Sequence, residues 1–383
     1  NTNKLHNLDQ FIDEYKNVAN KLIEILWKEE KIPKLVPKKY TDQIKNHTWL
    51  SARAIQCCAK QIAAIINGTK KKNKQRLYIY KKLIKENKIE QAEKLLKIIN
   101  KYKESKPNIN DLKPELDSRF IKIDLDNQTS FDGWIIINSI GNKIKLILPF
   151  KRTKHFNKLY KKGELKSGIR LFEKQIEFNF ELPDKEKKKD GETLGLDIGI
   201  KKVFTTSNHQ ISQKDKDHWD LTKIQNRLCN RIKGSKGYKR TQNHRKNFIN
   251  WSLNQLNLNN IKTLNVEDIK NVRLGKRTSK FLSRWTYTEI KSKIERLCEE
   301  SGVQILYKSP TYTSQRCSKC GWVCKSNRKG ERFKCVNCGF EIDSDYNASI
   351  NLSLDLIPLE KDLHLSKKNL NGFFWVVKES VVL

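Results

Sequence analysis

Two cysteine pairs constrain this chain more tightly than any other feature. Cys317 and Cys320 have two residues between them, as do Cys335 and Cys338, and fourteen residues separate the pairs. Each pair can wrap one side of a tetrahedral ion, and Gly321 and Gly339 follow where a knuckle turn needs space. The spacing predicts a four-cysteine ribbon around one structural Zn²⁺. Such a site is closed, so it holds structure and activates no water. Cys324 is a spare thiol outside the symmetric spacing. The total of nine cysteines is odd, which makes poor disulfide arithmetic and fits a reducing cytoplasm.

The ribbon lies in a strongly basic chain of 383 residues, with 78 Lys and Arg against 43 Asp and Glu and a formal net charge of +35. A field of that sign gathers phosphates and releases their counterions, so a nucleic-acid partner is expected. Codon bias accounts for a preference for Lys over Arg, but not for the excess over acids. No stretch is long and apolar enough to cross a membrane, and Phe373–Val377 is too short to do so. The early residues are polar and carry no signal peptide; the chain contains no Met, and its natural start is expected to lie outside it.

The texture of the chain changes along its length. Phe11, Tyr15, Val18, Leu22 and Ile25 form one helical stripe, 48–67 reads as a second helix broken by the lysine run 69–74, and 76–104 reads as two more helices turning near Asn87. From Arg119, five short runs rich in β-branched and aromatic residues (120–125, 133–139, 143–148, 168–172 and 175–182) predict a small antiparallel barrel. The charged segment 183–192 is the clearest boundary. Beyond it, strands at 193–200, 203–206, 261–268 and 303–307 alternate with helices at 219–258 and 281–301, which predicts an α/β domain with a mixed sheet.

Three acids stand in suggestive settings. Asp197 interrupts an apolar strand, Glu267 ends another, and Asp345 precedes a helix-like segment from Asn347. A carboxylate inside a buried strand is costly unless an arginine or a metal offsets it. Three acids converging on Mg²⁺ would make a phosphodiester hydrolase, with two ions about 4 Å apart. From the residues alone, Asp268 competes with Glu267 and Asp343 with Asp345. In the basic segment 223–246, Arg227, Arg231, Lys236, Lys239, Arg240 and Arg245 are candidate phosphate contacts. Tyr238 and Trp251 are candidates for base stacking, with core packing the expected place of Trp251.

The blocks GLDIGIKK (195–202), NVEDIKNV (265–272), SPTYTSQRCSKCG (309–321) and FKCVNCGFEIDSDYNASINL (333–352) resemble those of TnpB, the family of transposon-encoded RNA-guided DNA endonucleases related to compact type V CRISPR effectors. The resemblance covers 193–352 well and the N-terminal half only in general layout. It implies an α/β fold: an RNase H-like nuclease domain with an inserted zinc ribbon, preceded by a helical plus β-barrel nucleic-acid-binding region. Its partition would be a helical recognition region (1–118), a β-barrel wedge (119–182), a linker (183–192), the nuclease core (193–308), the ribbon (309–342) and completion of the core (343–357); the C-terminal tail (358–383) lies outside the resemblance and is expected to contact RNA. It implies Asp197, Glu267 and Asp345 as catalytic ligands of two Mg²⁺, the four ribbon cysteines as ligands of one Zn²⁺, and guide RNA and double-stranded target DNA as partners, with pairing reading the sequence and the protein a short flanking motif. The alternatives are a cleavage-inactive RNA-guided DNA-binding regulator and an unguided RNase H-type resolvase or transposase.

Overall fold

The computed structural model of the chain describes residues 2–102, 105–125, 129–199, 201–269, 281, 286–359 and 372–378. They divide into two compact units, Asn1–Pro183 and Asp184–Leu383. Of the sequence expectations, Trp285, the end of the 265–272 block and most of the tail beyond Leu359 lie outside the described residues.

The first unit opens with α1 (Thr2–Leu26), whose stripe works as the periodicity demands: Phe11, Tyr15, Val18 and Leu22 are fully buried, and Ile25 packs against the same core. After α2 (Lys38–Lys45), the Ser51 hydroxyl accepts the Ala54 N–H and starts α3 (Ala52–Lys85). The expected break at the lysine run does not occur. Lysine is a good helix former, the Thr69 hydroxyl donates to the Ile65 carbonyl, and the Lys70 ammonium reaches the Trp27 and Glu29 carbonyls. The helix ends instead before Asn87, whose φ of 55° lets the chain reverse into α4 (Ile89–Tyr102).

The strand expectations of this unit hold in position but not in closure. β2 (Ile121–Asp124), β3 (Gly133–Gly141) and β4 (Ile144–Phe150) form one antiparallel sheet. β1 (Glu115–Leu116), β5 (Glu164–Leu171) and β6 (Ile176–Glu181) form another, with the short helix α5 (Lys154–Tyr160) between the two in sequence. No closed barrel is seen among the described residues. A ring needs an unbroken ladder, and an open cleft lined by Ile121, Ile123, Leu125, Tyr160 and Leu165 lies where β2 and β5 would have to pair.

The second unit is built on a four-stranded mixed sheet in the order β10-β9-β7-β8. β7 (Glu192–Asp197), β9 (Ile261–Glu267) and β10 (Gln304–Lys308) run parallel, and β8 (Thr205–Thr206) is antiparallel to β7. Leu194, Leu196, Leu264 and Val266 are buried, as parallel strands covered on both faces require. Helices α6 (Leu221–Cys229), α7 (Lys236–Leu253) and α8 (Tyr287–Ser301) supply Ile224, Phe248, Ile249, Ile290 and Ile294 to this core. The segment expected as a linker is docked on the unit: the Lys187 ammonium donates to the Val303 carbonyl at 3.1 Å, and that of Lys188 to the carbonyls of Leu258 and Asn259, both at 2.6 Å. Further along, α9 (Ser344–Ser353) lies against β7 so closely that a Cβ on Gly195 would stand 1.9 Å from the Ser349 carbonyl oxygen.

Candidate active site

Between β10 and α9 the chain makes a three-stranded sheet of β12 (Arg328–Lys329), β13 (Arg332–Lys334) and β14 (Glu341–Asp343), and a separate strand β11 (Trp322–Val323) that pairs with β15 (Phe373–Phe374). The two cysteine turns repeat one hydrogen-bond pattern. Gly321 N–H donates to the Cys317 carbonyl at 2.9 Å and Gly339 N–H to that of Cys335 at 3.0 Å, while the N–H groups of Cys317 and Cys335 reach the carbonyls of Trp322 and Phe340, both at 2.8 Å. Gly321 and Gly339 hold φ of 80° and 71°, which explains why glycine stands at each turn. All four sulfurs lie within 4.8 Å of one another, with Cys317 to Cys338 at 3.8 Å and Cys320 to Cys335 at 3.6 Å. A zinc tetrahedron with bonds of about 2.3 Å has edges of about 3.8 Å, so the donor set fits a zinc ion. Cys324 stays apart, its sulfur 2.9 Å from the Ser326 hydroxyl.

The three acids come from three separate segments and meet in one field. Asp197 ends β7 and is 8% exposed. Burial pushes its carboxyl well above the usual carboxylate range, and the charges of Glu267, Asp345 and Asp343 push it further. Glu267 ends the neighbouring β9; burial raises its carboxyl too, against a hydrogen bond from the Thr313 hydroxyl to Oε1 at 2.9 Å. Asp345 stands in the first turn of α9. The structure separates it from Asp343, which is the N-cap: one Asp343 oxygen accepts the N–H groups of Asp345 and Tyr346, both at 3.0 Å, and the other pairs with Lys202 at 2.9 Å. Both Asp343 oxygens are thus engaged elsewhere.

One participant carried no signal in the sequence reading. Arg328, on β12 of the ribbon, pairs with Asp345 at 3.2 Å, and its charge lowers the carboxyls of both Asp197 and Glu267. It is the local counterion of the cluster, yet one guanidinium does not balance three carboxylates. One polar group beside Asp197 is also left over among the described residues. The Thr205 hydroxyl, 1% exposed on the strand position paired with Asp197, has no hydrogen-bond partner, and cross-strand partners share one face of a sheet. Oxygen donors of this kind suit a hard divalent cation in chemistry, while among the described residues only the four cysteines bring their ligand atoms within 4.8 Å of one another.

The basic candidates separate into two classes. Arg227, Arg231, Lys236, Lys239 and Arg240 are exposed, with the Arg227 guanidinium 5.5 Å over the Trp219 ring. Arg245 is 6% exposed and donates to Gln225 Oε1 at 2.8 Å, so it braces α7 against α6 and presents no free face to phosphate. The expectation for the aromatics is reversed: Tyr238 is buried at 7% and Trp251 is 41% exposed. The signal was present, because Tyr238, Thr241, Arg245, Phe248 and Ser252 recur at helical spacing on the buried face of α7 and Trp251 falls off it.

Comparison with known proteins follows this geometry. Residues 287–352, which contain α8, the ribbon and all but the last residue of α9, match the family model of the Cas12f1-like TNB domain. The chain is 44% identical over 94 residues to the CRISPR-associated endodeoxyribonuclease Cas12f1 of Sulfoacidibacillus thermotolerans, covering 24% of this chain and 22% of that protein. It is 35% identical over 99 residues to a TnpB-like protein of Methanocaldococcus jannaschii, covering 24% of this chain and 34% of that one. The chain spans less than half the length of the curated relatives it matches. Its fold is similar to that of Cas12f1 in a cryo-EM complex with sgRNA and target DNA, at a TM-score of 0.50 and 17% identity over 91% of this chain and 81% of that one. Over residues 287–352 the chain is thus similar to the Cas12f1-like TNB domain, with TnpB-like and Cas12f1 proteins among its relatives.

Proposed function

We propose that this chain is an RNA-guided DNA endonuclease, and that Asp197, Glu267 and Asp345 hold its catalytic metal. The observation that carries the reading is the convergence of three acids, from two adjacent parallel strands and one helix start, into a site where burial and mutual repulsion raise the Asp197 carboxyl. A cluster of that kind is unfavourable for the fold alone and is met most often where it serves chemistry. The names of the similar proteins, an endodeoxyribonuclease and a complex with guide and target, support the same reading.

In this reading unit 2 is an RNase H-like core, residues 193–308 and 343–357, interrupted by a zinc ribbon at 309–342. The mixed sheet with acids at the ends of two central strands supports it. Two Mg²⁺ bound by the three acids would activate a water and stabilise the leaving oxygen of the phosphodiester. The chain's own residues do the positioning. Thr313 fixes one Glu267 oxygen, Asp343 caps α9 so that Asp345 turns inward, and Arg328 is left to face phosphate once the cation balances the acids. The helical region 1–118 and the two sheets of 119–182 serve as the platform for guide RNA and heteroduplex. The lysines of α3 and α4 and the exposed Tyr78 support that role.

The test is cleavage of a supercoiled plasmid by the protein with its guide RNA in Mg²⁺. Asp197→Ala abolishes cutting and leaves guided DNA binding within about threefold, because one inward carboxylate makes no backbone contact along the duplex. Loss of binding together with cutting contradicts the assignment.

A further inference from the structure

Arg316 is the residue the nuclease reading leaves unexplained. It precedes the first ribbon cysteine and is 3% exposed, yet among the described residues it has no carboxylate partner. Its donors go elsewhere: Nε to the Trp375 carbonyl at 2.7 Å, and Nη1 to the Asn351 Oδ1 at 2.7 Å and the Cys317 carbonyl at 3.2 Å. A buried guanidinium without an anion is costly, so a counter-charge is needed nearby. Cys317 and Cys320 act electrostatically on the guanidinium, and four thiolates around one divalent cation would leave a dianion beside it.

The hydrogen bonds continue from Arg316 in the opposite direction. The Asn351 amide donates to the Thr313 carbonyl at 2.9 Å and to the Arg316 carbonyl at 2.7 Å. The Asn347 amide also donates to the Arg316 carbonyl, at 2.8 Å, and its oxygen accepts the Ser318 N–H at 3.0 Å. The Thr313 hydroxyl then holds Glu267. Asn347 and Asn351 lie on the helix that begins beside Asp345, and all three of Thr313, Asn347 and Asn351 are at most 3% exposed. One buried network therefore runs from the cysteine turn to Glu267 and to the helix that carries Asp345.

We propose that Arg316 is a positioning residue that couples the zinc site to the acid cluster: the thiolates hold its charge in place, and its fork and backbone hold α9 and the Thr313 segment. The inference rests on the metal-binding reading of the acids. When the ribbon loses its metal, the Cys317 turn that receives the Arg316 fork is no longer held, the network opens, and Glu267 and the helix bearing Asp345 lose their registration. The ribbon then does more than stabilise its own turns, since its occupancy sets the cation affinity of a site elsewhere in the unit.

Two readouts on the whole chain test this: zinc release to a chromogenic chelator, and Mn²⁺ binding followed by electron paramagnetic resonance. Arg316→Met releases zinc about tenfold faster and binds Mn²⁺ about tenfold more weakly, the usual scale for an outer-shell partner. Arg316→Lys, which keeps the charge but not the fork, recovers zinc retention and leaves Mn²⁺ binding weak. Thr313→Val leaves zinc release unchanged and weakens Mn²⁺ binding, and wild-type protein stripped of zinc binds Mn²⁺ about tenfold more weakly. The last two measurements hold even if the Arg316 variants do not fold. Unchanged Mn²⁺ affinity after zinc removal, or in Thr313→Val, overturns the coupling. Asp197→Asn serves as the separate control: if it binds Mn²⁺ as the wild type does, the metal reading of the acids fails, whatever Arg316 does.

Discussion

Asp197 carries opposite consequences for stability and for activity. Its folded-state carboxyl lies above the ordinary range because of burial and the neighbouring acids. Between that range and the raised value, the folded metal-free protein keeps a proton that the unfolded chain has given up. Metal-free stability therefore falls as pH rises through that window, the reverse of an ion-paired aspartate. Asp197→Asn removes the dependence. In a thermal melt at neutral pH without divalent cations it raises Tm above the wild type, and Mg²⁺, which raises the wild-type Tm, adds little to the variant. A lower metal-free Tm for the variant contradicts this account of the carboxyl. The same scale separates two arginines on one helix. Arg240→Ala lowers the slope of log K against log salt for RNA binding by about one, whereas Arg245→Ala leaves the slope intact and costs about 1–3 kcal/mol of stability through the lost buried contact with Gln225.

At the scale of elements, α9 shows what sequence can and cannot decide. An acid in an apolar strand is visible as a break in pattern, so Asp197 was legible, as was the strand end at Glu267. Asp343 and Asp345 were indistinguishable, because which acid caps a helix and which faces inward depends on the backbone turn before Ser344. Asp343→Ala costs about 1 kcal/mol of stability and leaves cutting measurable, while Asp345→Ala leaves the fold and abolishes cutting; equal loss of cutting in both contradicts the separation of roles. The continuous α3 was misjudged because exposed lysines read as a polar break, though nothing in the run opposes a helix. Arg328 was not legible at all, since its place among the acids exists only when β12 folds back beside α9. Gly195 likewise became meaningful only once α9 was seen to lie on it. Gly195→Ala forces the helix away from β7 and is expected to weaken cutting far more than its single methyl group suggests, measured at matched folded fraction.

For the molecule as a whole, charge and the four-cysteine cluster were readable from composition and spacing, because both are properties of residue type. The mixed sheet of the second unit was readable because parallel strands buried on both faces leave long apolar runs. The closed barrel was not, because short alternating strands specify pairs of neighbours but not whether the last edge meets the first. The central claim is that Asp197, Glu267 and Asp345 jointly bind divalent metal, and crystals grown with Mn²⁺ test it most directly through anomalous scattering. The account predicts a Mn²⁺ peak coordinated by oxygens of all three acids, with Arg328 drawn off Asp345. Mn²⁺ bound elsewhere, with the Arg328–Asp345 pair intact and no peak among the three carboxylates, would contradict it.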